Sequence, residues 1–248
     1  MAKVMIITGG SRGIGAATAL LAARDGFRVC INYQTDDSQA RETLEQLHAL
    51  GARAITVKAD ASNEDEVTAL FHRVDTELGP VTALVNNAAT ISAQSRLEEM
   101  SEFRLLKMMK TNVVGPMLCA KHAIARMSTR HGGFGGTIVN VSSVAARLGS
   151  PNEYIDYAAS KGAIDTFTLG LAKELAGEGI RVNAVRPGYI HTGFHALSGD
   201  PDRVRKLEKN LPAGRAGQPD EVAEAILWLS SALASYVTGT FVDLAGGR

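Results

Sequence analysis

Short, almost unbroken apolar runs alternate along this chain with stretches in which apolar residues recur every three to four positions. The runs Val4–Ile7, Arg28–Tyr33, Ala54–Lys58, Ala83–Asn86, Gly136–Ser142, Arg181–Val185 and Thr240–Leu244 predict strands. Strands this apolar are expected when helices cover both faces of a sheet. Between them, Val67, Leu70, Phe71, Val74 and Leu78 fall at helical intervals, and Ser62 with Asp65 predicts a capping-box-like start for that helix. Ile164, Phe167, Leu171 and Leu175 mark a helix that begins near Tyr157. Pro219 opens another, with Val222, Ile226 and Leu229 on its apolar side. Strand–helix alternation implies right-handed crossovers and a parallel sheet. No repeat, low-complexity segment or linker interrupts the pattern, and Gly132–Gly136 reads as a loop before a strand. The expectation is one doubly wound α/β domain over residues 1–248, with about seven parallel strands flanked by helices.

Composition narrows the partners. Hydrophobic residues make up 45% and charged residues 21% of the chain, as in an ordinary globule. Lys plus Arg equals Asp plus Glu at 26 each, so no basic stripe for nucleic acid and no polybasic membrane anchor is expected. Near-zero charge weakens colloidal repulsion and permits self-association. No apolar run reaches transmembrane length, and Met1–Gly10 reads as a strand and turn instead of a signal peptide. Cys30 and Cys119 lie far apart inside predicted elements and read as small buried hydrophobes. His191 and His195 are four apart but have no further metal ligands near in sequence, so no metal site is expected. A reducing cytoplasm fits this pattern.

The first strand runs into Thr8-Gly9-Gly10-Ser11-Arg12-Gly13-Ile14-Gly15, which opens a helix. Glycines there permit a tight turn and let backbone approach a pyrophosphate, and the helix N-terminus offers free amides to the anion. A glycine triplet alone is a weak signal. Its place between the first strand and the first helix makes it a strong one.

A second group carries proton chemistry. Tyr157 is followed four residues later by Lys161, with Ser143 fourteen residues upstream. On one helix this spacing puts phenol and ammonium on one face. A cation so placed favours the phenolate, and moving a phenol from ~10 toward ~7 needs about 4 kcal/mol. A tyrosine tuned this way passes a proton to or from a carbonyl or alcohol oxygen. Tyr154 competes for the role, but Ala158, not a lysine, stands four residues after it, so Tyr154 reads as a wall of the substrate pocket.

The glycine spacing Gly-x-x-x-Gly-x-Gly resembles the short-chain dehydrogenase/reductase family, built on a Rossmann-type fold. The resemblance runs through Asn86-Asn87-Ala88-Ala89, Asn112, Ser143, Tyr157, Lys161, and Pro187-Gly188 with Thr192, and so covers nearly the whole chain. One departure is Ala89, where the family usually has glycine. The resemblance implies that Tyr157 is the general acid/base, that Lys161 lowers its pKa and binds ribose hydroxyls, and that Ser143 orients the substrate oxygen, with Ser142 the alternative. It implies that Asn112 holds a water in a relay to Lys161. It places Gly9, Ser11, Arg12, Gly13, Ile14 and Gly15 at the cofactor phosphates, and Asp60 with Ala61 near the adenine. Asn87 and Ala88 then line the adenosine side, and Pro187, Gly188, Ile190 and Thr192 flank the nicotinamide.

An acidic residue closing the second strand selects NAD. Here that strand ends Ile31-Asn32-Tyr33-Gln34, with no carboxylate before Asp36, and Arg12 stands ready to pair with a 2′-phosphate. NADP is therefore the expected cofactor, with NAD the alternative. The expected reaction moves a hydride between NADP(H) and a carbonyl or secondary alcohol. Within the family the chain resembles glucose-1-dehydrogenase-like members. The rival is a 3-oxoacyl-carrier-protein reductase, which would dock its acidic carrier through Arg126, Arg130 and Lys173. A non-catalytic dinucleotide sensor is the reading from another class. A substrate lid is expected over about residues 188–215, its Arg203, Arg205, Lys206 and Lys209 forming a solvated helix face. The substrate pocket is expected to draw on Gln94, Ala145, Glu153, Tyr154 and Tyr189. The resemblance further implies a homotetramer built through the helix at 157–176 and the ending Tyr236–Arg248.

Overall fold

The computed structural model describes residues 2–248. The apolar runs become strands β1 (Val4–Thr8), β2 (Arg28–Tyr33), β3 (Ala54–Lys58), β4 (Ala83–Asn86), β5 (Gly136–Val141), β6 (Ile180–Pro187) and β7 (Phe241–Leu244). They form one parallel sheet in the order β3-β2-β1-β4-β5-β6-β7. The helices are α1 (Gly13–Arg24), α2 (Asp37–Ala49), α3 (Glu64–Glu77), α4 (Glu102–Met109), α5 (Gly115–Met127), α6 (Ala145–Leu148), α7 (Ile155–Leu175), α8 (Arg203–Leu207) and α9 (Pro219–Ser230).

Alternation along β1 sends successive side chains to opposite faces. Val4 and Ile6 join a core with Leu70 and Phe71 of α3, Cys119 of α5 and Leu171 of α7. Met5 and Ile7 join the other core, with Ala19 of α1, Leu47 of α2 and Ile226 of α9. Both faces are thus covered, which is why the strands carry few polar positions. The two cysteines are buried and unpaired, and desolvation pushes both thiols up, Cys119 to about 12. Among the described residues no helix is long and apolar enough to cross a membrane.

The strand order reverses between β1 and β4. Chain leaves β1 toward one edge and returns to build the other, so a crevice opens beyond the carboxyl ends of these two strands. The glycine turn, the loop after β4, the loop after β5 and the turn after β6 all end there.

Some local expectations change. The cap of α3 is Asn63, whose side chain accepts from the amides of Asp65 and Glu66 at 3.0 and 3.2 Å. Ser62 instead binds the Asp60 carboxylate through its amide and hydroxyl. β6 runs two residues further, to Pro187, and β5 stops one short, leaving Ser142 off the strand. Lys110–Val114 forms a π-helical turn between α4 and α5. Ala89 is not in the left-handed region, where the described non-glycine residues are Ser150 and Asn152, so alanine carries no backbone strain there.

Candidate active site

Gly9 and Gly13 both take positive φ, at +61° and +54°. A Cβ on Gly9 would lie 3.0 Å from the Ala88 Cα, and one on Gly13 would lie 3.2 Å from Thr192 Cγ2. Side chains at either glycine would therefore crowd the loop after β4 and the turn after β6. The Asn87 amide locks the same junction, donating to the carbonyls of Thr8 and Gly9, both at 2.9 Å. The Thr8 hydroxyl accepts from the backbone amides of Asn87 and Ala88. This cradle, open to the N-terminus of α1, fits a dinucleotide pyrophosphate.

A cavity of about 1260 Å³ begins at this cradle. Gly9, Ser11, Arg12, Gly13, Ile14, Asn32, Tyr33, Asp60, Ala61, Asn87, Ala88, Pro187, Gly188, Ile190 and Thr192 all line it. Gly15 does not. A Cβ there would lie 2.3 Å from the Gly9 carbonyl and 2.7 Å from Asn87 Nδ2, so Gly15 lets α1 pack on the turn from behind. The Asn32 amide is committed to the sheet, donating to the Ala59 carbonyl at 2.8 Å. Arg12 makes no ion pair among the described residues.

Ser143, Tyr157 and Lys161 line the same cavity. Lys161 is 3% exposed, and its Nζ donates to the Val141 carbonyl at 2.7 Å and lies 5.7 Å from the centre of the Tyr157 ring. Burial lowers its pKa to about 8, with Asp165 pulling the other way. The phenol does not behave as spacing alone suggested. Desolvation pushes Tyr157 up to about 12, opposed by the neighbouring Ser143 hydroxyl. Removing water from a phenolate costs more here than the Ser143 hydrogen bond returns.

The two serines separate cleanly. Ser142 is 2% exposed and donates to the Asp165 carboxylate at 2.7 Å and the Lys161 carbonyl at 3.2 Å. Ser143 is half-buried, accepts from the Ala145 amide, and keeps its hydroxyl beside Tyr157. Asn112 is fully buried in the π-helical turn and off the cavity wall. Its oxygen accepts from the Thr90 amide at 2.8 Å, and its nitrogen donates to the Thr90 carbonyl and the Ser160 hydroxyl. Any link from it to Lys161 therefore runs through other groups.

At the far end, Tyr154 and Tyr189 line the cavity with Ala145 and Glu153. Gln94 reaches it indirectly, donating to Glu153 at 3.2 Å. Arg203 overturns its expectation. Arg205 and Lys206 are exposed, but Arg203 is only 6% exposed and lines the cavity, held by Glu153 at 2.7 Å. Phe194, Phe103, Leu106 and Arg248 also line the wall. No spacing signal in the sequence marks them. The proposed carrier-docking cations are largely neutralised: Arg126 pairs with Asp75 at 2.7 Å and Arg130 with Glu178 at 3.1 Å.

A glycine cradle at the switch point and a serine–tyrosine–lysine set therefore line one cavity. The chain belongs to the short-chain dehydrogenase/reductase family. A family model described as Enoyl-(Acyl carrier protein) reductase matches residues 9–248. The chain is 52% identical to the Uncharacterized oxidoreductase YgfF of Escherichia coli (strain K12), covering 99% of both chains. It is 36% identical to Glucose 1-dehydrogenase 2 of Bacillus subtilis (strain 168), covering 99% of this chain and 94% of the relative. Its structure superposes with a TM-score of 0.92 on the crystal structure of a short-chain type dehydrogenase/reductase from Mycobacterium marinum, at 32% identity, over 99% of this chain and 94% of that one. It is therefore an oxidoreductase of this family, whose members use NAD(P).

Proposed function

We propose that the protein is an NADP-dependent oxidoreductase acting on a carbonyl or secondary-alcohol carbon, glucose-1-dehydrogenase-like in its chemistry. The observation that carries this reading is the placement of Ser143, Tyr157 and Lys161 on the wall of the cavity that starts at the glycine cradle. Bound nicotinamide supplies or accepts the hydride. In the reducing direction Tyr157 gives its proton to the substrate oxygen, which the Ser143 hydroxyl holds. The Lys161 ammonium steadies the phenolate left behind. With its pKa raised to about 12, Tyr157 keeps its proton at neutral pH and is ready as an acid. Oxidation of an alcohol runs the same groups backward and first needs that proton gone.

Arg12 supports NADP: it makes no ion pair among the described residues and lines the same cavity as Asn32, Tyr33 and Gln34 at the end of β2, where no carboxylate precedes Asp36. Arg12→Ala should raise KM for NADPH at least about tenfold and leave KM for NADH within about twofold. Equal effects on the two cofactors would contradict the assignment. Residues 188–215 act in this reading as the substrate lid, and the cytoplasm is the compartment.

The glucose-1-dehydrogenase-like reading is supported by the Bacillus relative. The reading as a reductase of 3-oxoacyl carrier proteins is supported by 33% identity to the 3-oxoacyl-[acyl-carrier-protein] reductase of Staphylococcus aureus (strain Mu50 / ATCC 700699), over 100% of this chain and 98% of that one. Against it, Asp75 and Glu178 neutralise two of the three cations it would need for docking. A non-catalytic sensor fits less well, since the proton-transfer set is complete. We also infer a homotetramer, supported by Ile155 and Leu169 of α7 and by Leu233 and Tyr236 after α9, apolar side chains left exposed.

A further inference from the structure

Resting on that reading of the site, we propose that the substrate carries a carboxylate, and that Arg203 receives it at the end of the cavity away from the glycine cradle. Arg203 is only 6% exposed, yet it lines the cavity. A guanidinium offers five donors in a planar fork. Here Nη2 alone is engaged, donating to Glu153 at 2.7 Å and to the Tyr189 hydroxyl at 3.3 Å. Nε is buried with no partner, and Nη1 makes no hydrogen bond among the described residues. Leaving a buried charged donor such as Nε unpaired is costly. With both bonds gathered on Nη2, an anionic acceptor reaching Nη1 gives the cation a second partner from the cavity side.

The surroundings fix the sign of that acceptor. Tyr154 and Tyr189 flank the guanidinium with ring centres at 5.1 and 5.8 Å. Arg248 stacks on Tyr189 at 4.6 Å and makes no ion pair among the described residues. Two arginines therefore share this end of the cavity, with Glu153 the one carboxylate bonded to them. The His195 ring, 5.9 Å from Tyr189, adds a buried Nδ1 with no partner. An anion is favoured over a neutral group in such a pocket.

The position also fits a substrate with its two functions apart. Tyr157 lies 5.9 Å from Phe194, Phe194 lies 5.9 Å from His195, and His195 adjoins Tyr189. Three rings, Phe194, His195 and Tyr189, thus run from the phenol to the arginine end. A carbonyl compound, an oxidised sugar among them, whose carboxylate lies several bonds from the reacting carbon matches that separation.

The test is calorimetric binding of cyclohexanecarboxylate and of its near-isosteric amide to the NADPH-loaded protein. The acid should bind at least tenfold more tightly than the amide. Arg203→Met should erase that preference. Glu153→Gln should enlarge it, because the competing carboxylate is gone while the cation stays. Were Arg203 merely the structural partner of Glu153, Glu153→Gln would leave the acid-to-amide ratio unchanged. Equal binding of acid and amide by the unaltered protein, or binding of neither, overturns the proposal. Failure of NADPH itself to bind would instead overturn the reading of the site on which it rests.

Discussion

At Tyr157 the chemistry of one phenol is decided by two opposed effects. The sequence spacing to Lys161 argues for an acidified hydroxyl. The folded environment argues the reverse, because desolvation of the half-buried phenol outweighs the hydrogen bond from Ser143. The result is a protonated acid beside a cation whose own pKa has dropped to about 8. The sign of the pH dependence follows. A lysine lowered to about 8 is charged below that pH and neutral above it. Carbonyl reduction should therefore hold level through neutral pH and fall as pH rises past about 8, approaching tenfold per pH unit. A kcat/KM profile reads this directly. A limb that instead falls on the acid side of pH 7, or no limb up to about pH 9.5, would contradict the assignment of Lys161. The choice between Ser142 and Ser143 is also made at this scale. The sequence leaves two adjacent hydroxyls. The structure ties the first to Asp165 and leaves the second beside the phenol.

Among the elements, the strands were the most legible part. A run such as Val4–Ile7 needs no partner to be recognised, since burial on both faces writes itself as unbroken apolar sequence. The start of α3 was less so. Ser62 and Asn63 are both good caps, and the competition was settled by Asp60, whose carboxylate holds Ser62. Arg203 was illegible. On α8, a helix of one and a half turns, it sits with Val204 on the buried side while Arg205 and Lys206 face solvent, and so short a helix gives periodicity nothing to count. Asn112 was found by resemblance, but its geometry depends on a π-helical turn that no spacing announces. The exposed faces of elements carry a prediction of their own. Leu169 of α7 is 41% exposed, and Leu233 and Tyr236 after α9 are more exposed still. Apolar surface of this kind marks an interface. Light scattering should give about four times the chain mass of 26.2 kDa. A mass of one chain would contradict the tetramer.

For the whole molecule, topology does the decisive work. Reversal of strand order between β1 and β4 opens a single crevice, and four loops from distant parts of the sequence end in it. That is why residues from Gly9 to Arg248 share one wall. The central claim is that this crevice holds a nicotinamide dinucleotide at one end and transfers a proton through Tyr157 beside it. The most direct measurement is carbonyl turnover by Tyr157→Phe under saturating NADPH, with cofactor binding measured on the same preparation. Binding should stay within about threefold of the unaltered protein, while turnover falls by about 10²–10⁴. Turnover left unchanged by the loss of that one hydroxyl would contradict the account.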